Sequence, residues 1–576
     1  MQYTYIMKKY SFIFALIISF FYISCSSDSY NIFLTTTEPD TINIENIVIP
    51  NSADKYPELT APVNKDWLVL FYIGADSYVN DELYLQMAQI GRGLRSIMRY
   101  DGQTFKKDFS KVTAVALWDG FNTDGSYTPK FYLPNTYLFE FKYPEQKSTI
   151  EIADDYRNFT INHSDEVLKS NDNWLTINQE VNSADGDTLR KFIAWAQNKY
   201  NSDNSKEVIL VISGMGGGSF GTETGTYIPP SSRATSRDYS SESYYLSAPQ
   251  IKIALEANGF NSSNKLKLLI IDSAFSANLE DAFELRNNVA SMIASPSDVP
   301  DGGIDFNYFL QSLRKNTSIY NIGSETVNVY ANRNYNYNKE RNYSYNTKFM
   351  KNMASLSFYD LSLVEKLGKE VNVLANNILY TKDNSTEQML IDREYTMFEC
   401  MKNKEYGFLL YDDETPLLIT DNAMFYKAIY EHRIPKYDFF RGYFYQNDLG
   451  YMAHAIERTA EKNGIDTIYK PCSEIKNILK DMMISKWRNG NNTKQGIYPY
   501  LINKNKSLNE DSKVYYGLTI AAQARPQAKD EYLQPYNFSD FEFKTYKETD
   551  QKNWRDLLEA LFPEQFKECT FYTYDY

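Results

Sequence analysis

Residues 208–218 read VILVISGMGGG, an apolar run that ends in a glycine-rich loop. Two further apolar runs have the same character: WLVLFYIG at 67–74 lies before it, and LKLLII at 266–271 lies after it. Continuous apolar runs of this length are typical of strands buried on both faces, as in parallel sheets. Segments with helical spacing lie between the runs, at 188–200 and 249–258. This alternation predicts an α/β fold with a mostly parallel sheet flanked by helices.

The loops after these strands are the candidate functional region, because ligands of parallel α/β sheets bind beyond the carboxyl ends of the strands. The segments that follow Ile73, Ile212 and Ile271 are therefore expected to meet at one edge. The loop at 216–221 matches G-x-G-x-x-G, a pattern of dinucleotide-binding sites. The residues after it cannot open a helix, so no helix N-terminus is predicted to receive a pyrophosphate. The glycines are expected instead to let the backbone approach another segment closely.

The composition excludes several classes of protein. The chain has 576 residues, of which 43% are hydrophobic and 23% charged, as in a folded body that is larger than one compact domain. The net charge of −14 leaves no basic surface for sequence-independent nucleic-acid binding. With 3 His and 4 Cys, the chain has neither a His-rich metal centre nor a dense disulfide framework. No cofactor is indicated, and calcium dependence stays open.

The N-terminus looks like a bacterial lipoprotein signal. Lys8 and Lys9 precede an apolar run from Phe12 to Ile23 that is too short to span a bilayer, and Cys25 follows a small residue. The sequence therefore predicts a signal peptide at 1–24, lipid on Cys25 and a location in the bacterial cell envelope. An ordinary cleaved signal with an incidental cysteine stays the alternative.

The rest of the chain is divided by composition and periodicity. Residues 25–64 are rich in Thr, Asn and Pro and are predicted to be a flexible tether, followed by an α/β core at 65–345 and a helical and strand region at 346–576. The Tyr-, Asn- and Arg-rich stretch at 330–346 is predicted to be a mobile surface loop. The remaining predicted elements are strands at 112–118 and 515–520 and helices at 83–94, 361–379, 449–462 and 554–562.

The order of these motifs resembles the clostripain family of cysteine endopeptidases, which belong to the caspase-like clan. The resemblance is carried by Ile73-Gly74-Ala75-Asp76, by the strand and glycine loop at 208–218, and by Ile271-Asp272-Ser273-Ala274-Phe275-Ser276. Asp301-Gly302-Gly303 and Tyr516-Gly517-Leu518-Thr519-Ile520 add to it, so that it runs from about Asp66 to Phe562. The resemblance implies a caspase-like core.

The resemblance also implies where the catalytic groups should be. In the family, the strand before the glycine loop ends in Asp-His-Gly, where the His is the base; this chain has Gly214-Met215-Gly216. The next family strand ends in Asp-Ala-Cys, where the Cys is the nucleophile; this chain has Asp272-Ser273-Ala274. Met215 and Ala274 therefore occupy the base and nucleophile positions. A thioether and a methyl group can neither attack a peptide bond nor exchange a proton.

The hypothesis that follows is a catalytically inactive homologue that binds a peptide or protein in the vestigial cleft. The resemblance implies that Asp272 helps to shape a pocket for a basic side chain, and Asp76 is the second acidic group expected to meet Lys or Arg. The expected pocket is completed by Gly216, Gly217 and Ser273.

Three alternatives stay open. Asp272 could serve only to cap backbone amides at the strand end. The chain could be an active peptidase with divergent machinery, using Ser273, Ser276 or a thiol such as Cys400, although none of His163, His432 and His454 belongs to a strand-end motif. It could also be a surface lipoprotein whose aromatic-rich face binds glycan or a membrane partner.

Overall fold

The computed structural model describes about half of the chain in ordered segments. The described residues are 66–77, 80–96, 98–100, 105–107, 112–120, 135–140, 181–214, 216, 237–238, 244–274, 276–296, 299, 303–313, 318–340, 355–383, 446–462, 466–488, 517–521, 542–548 and 550–561. In this part of the chain, no helix has both the length and the apolar composition needed to cross a bilayer.

An eight-stranded mixed sheet is the centre of the fold. Its strands are β1 (Trp67–Ala75), β4 (Val112–Gly120), β5 (Asn135–Glu140), β6 (Glu207–Gly214), β9 (Leu268–Asp272), β10 (Ser291–Ala294), β11 (Ser355–Asp360) and β13 (Met483–Arg488). Their spatial order is β13-β11-β10-β9-β6-β1-β4-β5. Short two-stranded pairs are formed by β2 (Met98–Tyr100) with β3 (Phe105–Lys107), β7 (Arg237–Asp238) with β8 (Tyr244–Tyr245), and β12 (Gln446–Asp448) with β14 (Thr519–Ala521).

The middle of the sheet is parallel and its margins are antiparallel. Strand β1 pairs in parallel with β4 and β6, β6 pairs with β9, and β9 with β10. The outer pairs β4–β5, β10–β11 and β11–β13 are antiparallel. Every residue of β1 and β9 is buried, as the apolar runs at 67–74 and 266–271 predict for strands covered on both faces. The predicted α/β fold with a largely parallel sheet is confirmed.

Helices cover the sheet. They are α1 (Asn80–Ser96), α2 (Gly186–Tyr200), α3 (Ala248–Ala257), α4 (Leu279–Leu285), α5 (Phe306–Leu313), α6 (Ile319–Glu340), α7 (Val364–Asp383), α8 (Leu449–Lys462), α9 (Asp466–Met482), α10 (Glu542–Thr545) and α11 (Trp554–Leu561). The helices predicted near 83–94, 188–200, 249–258, 361–379, 449–462 and 554–562 are all present. Helix α3 shows why the local sequence starts a helix: Ser247 and Gln250 form a capping box, and Pro249 occupies the first turn.

The prediction of a surface loop at 330–346 is wrong for residues 330–340, which are the second half of α6. The first half of α6 is buried, with apolar side chains such as Ile322, Val327 and Tyr330 in the core. A helix that is anchored in this way continues through residues whose composition alone indicates a loop, because packing outweighs local propensity. Residues 341–346 lie outside the described residues.

The part of the chain after residue 346 is built into the same sheet as the part before it. Strand β11 pairs with β10, and β13 pairs with β11. Sequence patterns did not predict either strand, and β11 follows directly after a stretch of chain that is rich in polar residues. The two regions that composition separates therefore share one sheet.

Helix α10 is held against the end of α4 by ion pairs and hydrogen bonds. Arg286, which is almost fully buried at the end of α4, makes two hydrogen bonds to the Glu542 carboxylate, at 2.7 and 3.1 Å. The backbone N–H of Glu542 donates to Glu284 (2.7 Å), which also accepts from Lys252 (3.0 Å). The Arg286 hydrogen bond, together with the charge of Arg286, lowers the pKa of Glu542 below its usual range. Because the guanidinium is buried, this bidentate pair is a stronger tie than a surface ion pair.

Candidate functional site

Three parallel strands end at the same edge of the sheet. In register, Gly74 of β1 pairs with Gly214 of β6, and Ser213 of β6 pairs with Asp272 of β9. The segments after Ile73, Ile212 and Ile271 therefore meet, as the sequence predicts. This edge brings Gly216 and Ala274 together, whereas Asp76 lies beyond β1, two strands away from Asp272.

Gly216 lies directly against the turn that follows β9. A Cβ atom added to Gly216 would lie 2.6 Å from the backbone N of Ala274 and 2.7 Å from Ser273 Oγ. Both distances are well inside the optimal separation of about 3.5–4.0 Å between packed atoms. Only glycine fits here, which confirms that the glycine loop lets two backbones approach closely. Gly216, which follows Met215 in the chain, thus lies against Ser273 and Ala274.

The turn after β9 is held by its own serines. Ser273 Oγ and Ser276 Oγ are 2.7 Å apart, and the Ser276 hydroxyl lies 3.1 Å from the Ser273 carbonyl oxygen, to which it can donate. Both residues are buried, whereas Ala274 is partly exposed. The serine hydroxyls are therefore engaged with each other and with the backbone of the turn, which is a structural use for them.

A distant segment completes the support of this turn. The backbone N–H and the hydroxyl of Thr519, on β14, both donate to the Ala277 carbonyl, at 2.9 and 3.0 Å. On the other side, the Ala277 N–H donates to the Ser295 carbonyl (2.9 Å). Asn278 then caps α4 by accepting from the Asp281 N–H (2.8 Å). The predicted strand at 515–520 is described from Gly517 onward, and its residues Thr519 and Ile520 belong to β14, which lies next to this turn.

Asp272 is buried, with 3% of its surface exposed, and it accepts several hydrogen bonds. The side-chain amide of Gln86, on α1, donates to Oδ2 at 2.6 Å. The backbone N–H of Ile304 donates to both carboxylate oxygens, at 3.0 and 3.2 Å. Asp272 therefore does cap a backbone amide, as one of the alternatives from the sequence expects. Its place on the wall of a ligand pocket stays a prediction.

Sequence patterns did not identify Gln86. It is a polar residue that α1 buries beside Met87 and near Ile90, with 2% of its surface exposed. A polar side chain at a buried position of an amphipathic helix is a signal of a specific partner. That partner is 186 residues away in the sequence, so the pairing could not be predicted.

Gly303 explains the Asp-Gly-Gly motif at 301–303. It has a positive φ of 50°, and an added Cβ would lie 2.7 Å from Gln86 Nε2 and also against the Asp272 carboxylate. A side chain at this position would therefore be both strained and in collision with the Gln86–Asp272 pair. The motif keeps space for that pair.

A second polar cluster lies on the other side of β1. The Tyr72 hydroxyl donates to the Ser183 carbonyl (2.7 Å), and the Ser183 N–H donates to Asp238 (2.8 Å). Thr136 donates to Asp119 at 2.6 Å. Burial, and then the charges of Asp119 and Asp238, raise the pKa of Tyr72 well above its usual range. Tyr72 therefore stays a hydrogen-bond donor that holds the segment at 181–185 in place.

Cys472, the one cysteine among the described residues, is not a nucleophile. It is fully buried within α9, where burial and then the Glu457 carboxylate raise the pKa of its thiol far above the usual range. A thiol in this setting is protonated and inert. Among the described residues, no group of three or more His, Cys, Asp or Glu side chains is arranged to hold a metal ion.

Several predicted residues cannot be placed. His454 lies on α8, but the position of its side chain lies outside the description. The others that lie outside the described residues are Cys25, His163, Met215, Gly217, Cys400, His432 and Cys569.

Comparison with known proteins finds one family whose model matches most of the chain. The model of the clostripain family, also described as peptidase C11, matches residues 145–560. None of the curated proteins compared with the chain matches it significantly.

Three solved structures of C11 proteases are similar to the chain. A secreted C11 cysteine protease from Bacteroides thetaiotaomicron, in complex with an irreversible peptide inhibitor, has 14% identity and a TM-score of 0.44 over 83% of this chain and 99% of its own. An inactive zymogen C11 protease from Parabacteroides distasonis has 14% identity and a TM-score of 0.43 over 84% and 99%. Another structure of a secreted C11 cysteine protease from Bacteroides thetaiotaomicron has 11% identity and a TM-score of 0.44 over 83% and 100%.

The hydrogen bonds of Asp272 predict how its variants behave. Asp272→Ala leaves the Ile304 N–H and the Gln86 amide buried without their acceptor, so the free energy of unfolding should fall by about 2–4 kcal/mol. Asp272→Asn keeps an acceptor for Ile304, and the Gln86 amide can turn to present its oxygen, so the loss should be about 1 kcal/mol or less. Urea unfolding followed by tryptophan fluorescence measures both.

Asp203, an exposed loop residue that accepts from the Ser205 N–H, is the matched control. Asp203→Ala should change stability much less than Asp272→Ala. Equal losses for Asp272→Ala and Asp203→Ala would contradict the structural role of the Asp272 carboxylate.

Proposed function

The chain belongs to the clostripain family, and we propose that it is a member that binds a peptide or protein in its cleft without hydrolysing it. The single observation that supports this most strongly is the contact of Gly216 with Ala274 at the edge of the sheet. The scaffold keeps the two strand ends together, as a peptidase site requires, while the sequence supplies Met215 and Ala274 there in place of a base and a nucleophile.

The chemistry supports the loss of hydrolysis. Cysteine peptidases need a thiolate to attack the carbonyl carbon and an imidazole to carry the proton to the leaving amine. In proteases that use such a pair, loss of nucleophile or base alone lowers turnover on the order of 10⁶-fold. Ser273 and Ser276 hydrogen-bond to each other, and Cys472 is buried and protonated. None of these three is set up to replace the missing nucleophile.

The polar groups at the edge support retained binding. Asp272 remains at the end of β9, and the Ile304 N–H, which donates to both carboxylate oxygens, maintains its orientation. The turn at 273–278 is supported by Thr519 and Ser295. Such support holds a cleft in shape when no chemistry takes place in it. The proposed ligand is a peptide or protein segment with a Lys or Arg side chain directed at Asp272, and Asp76 contributes negative charge further along the edge.

The wild-type chain is expected to hydrolyse no peptide. Purified protein is incubated with fluorogenic peptides that carry Arg or Lys before the scissile bond, and release of the fluorophore is followed for hours. The double variant Met215→His with Ala274→Cys restores a base and a nucleophile, so it should gain turnover that iodoacetamide abolishes. The single variants are the matched controls and should remain inactive.

Turnover by the wild type that survives purification would overturn the proposed inactivity. If Ser273→Ala abolished that turnover, a serine would be the nucleophile. If iodoacetamide abolished it, the nucleophile would be a thiol such as Cys400. Either result favours the divergent active peptidase.

Peptide binding is expected to depend on the Asp272 charge. A fluorescein-labelled peptide with one Arg should bind the wild type, and the matched peptide with neutral citrulline should bind more weakly, as measured by fluorescence anisotropy. Asp272→Asn, which preserves the fold, should remove most of the difference between the two peptides. Equal binding of the two peptides to both proteins would instead favour recognition through another surface, such as an aromatic-rich face.

The envelope location is proposed from the N-terminal sequence, where Cys25 follows an apolar run and a small residue. Expressed in a bacterial host with its signal, the wild type should partition into the detergent phase of Triton X-114, because an acyl chain anchors it. Cys25→Ala should move it to the aqueous phase, and Ser26→Ala should not. Aqueous partitioning of the wild type would indicate an ordinary cleaved signal.

A further inference from the structure

Gln86 donates a hydrogen bond to the Asp272 carboxylate, the group to which the basic side chain of the proposed ligand is directed. Its side-chain N–H donates to Asp272 Oδ2 at 2.6 Å, and both residues are almost completely buried. A Lys ammonium or an Arg guanidinium that reached Asp272 would donate to the same oxygen atoms. From this geometry we propose that the Gln86 amide is an internal competitor of the basic side chain, so that it lowers affinity at the Asp272 pocket. The proposal rests on the proposed function and assigns the regulation of that site.

The surroundings of Asp272 leave little room for a second donor. The Ile304 N–H already donates to both carboxylate oxygens. Gly303 packs so closely that an added Cβ would meet both Gln86 Nε2 and the carboxylate. An incoming cation must therefore displace the Gln86 amide, share Oδ2 with it, or approach Oδ1 beside the Ile304 N–H. Displacement is the simpler route, because the amide is on a side chain and the Ile304 N–H belongs to the backbone.

The Gln86 amide is also poorly satisfied where it lies. In the described part of the chain its carbonyl oxygen Oε1 is buried and has no hydrogen-bond partner. Burying Oε1 without a donor costs free energy, and the hydrogen bond from Nε2 to the Asp272 carboxylate contributes a comparable amount of stabilisation. Because the cost offsets the stabilisation, the Gln86 side chain is held weakly in this position. When it leaves the pocket, Oε1 gains water as a donor, which offsets part of the lost contact.

Gln89 provides a matched control on the same face of α1. It lies three residues further along the helix, and its carbonyl oxygen accepts from the Phe306 N–H at 3.2 Å. Gln89 therefore joins α1 to the start of α5, whereas Gln86 joins α1 to the end of β9. Only Gln86 donates to Asp272 among the contacts described for these two side chains. A variant of Gln89 should disturb the same packing without vacating the carboxylate.

The test compares Gln86→Ala with Gln89→Ala in the anisotropy assay, using the Arg peptide and its citrulline match. Gln86→Ala removes the competing donor and opens space, so it should bind the Arg peptide roughly tenfold more tightly than the wild type does, which corresponds to about 1.4 kcal/mol. Its affinity for the citrulline peptide should change much less. Gln89→Ala should bind both peptides as the wild type does. If Gln86→Ala fails to fold, as judged by circular dichroism, the near-isosteric Gln86→Leu takes its place.

Unchanged or weaker binding of the Arg peptide by the Gln86 variant would overturn the competitor role. Weaker binding, in particular, would make the amide a ligand contact. The outcomes also separate this inference from the proposed function. If the wild type binds and the Gln86 variant gains nothing, only the inference fails. If the wild type does not bind and the Gln86 variant does, the inference stands and peptide binding by the unmodified protein fails. If neither protein binds, both fail.

Discussion

The fold of this protein depends on the parallel register of β1, β6 and β9, which ends three buried strands at one edge. The register of a buried parallel sheet is strict, because a slip of one residue would move every side chain of the strand to the opposite face of the sheet. Once Ser213 is opposite Asp272, the loop at 216 and the turn at 273–278 have to share a small volume. Glycine at 216 satisfies that requirement, and the geometry of the cleft follows from this backbone contact.

The turn after β9 is supported by hydrogen bonds from distant parts of the chain. Ala277, Asn278 and Asp272 are held by hydrogen bonds from Thr519, Ser295, Gln86 and the backbone of Ile304. The Ala274 side chain is a methyl group, which takes no part in those bonds. The hydrogen bonds around the turn are therefore compatible with a methyl group at position 274. Membership of a peptidase family thus indicates the shape of the site more strongly than its activity.

Sequence patterns predict the parts of this structure that depend on local periodicity. Apolar runs and helical spacing identify β1, β6, β9 and most of the helices, and the chain order of the strand ends locates the candidate site. They do not identify Gln86, or the contact that Thr519 makes with Ala277, because in each case the partner is more than 180 residues distant. Strands β11 and β13 are not predicted, because their sequences contain polar residues and lack a continuous apolar run. The second half of α6 is predicted to be a loop. It is helical because the packed first half of the helix continues into it.

The Thr519–Ala277 contact joins residues 242 positions apart. The chain is made from its N-terminus, so Thr519 is added long after Ala277. A growing polypeptide that has not reached this residue lacks both donors to the Ala277 carbonyl. The turn that contains Ala277 therefore gains these two hydrogen bonds only after residue 519 has been made. Loops closed over such a span form late in folding, because their entropy must be lost before the contact is gained. A chain that has been made only as far as β9 and α4 consequently lacks this support for the turn between them.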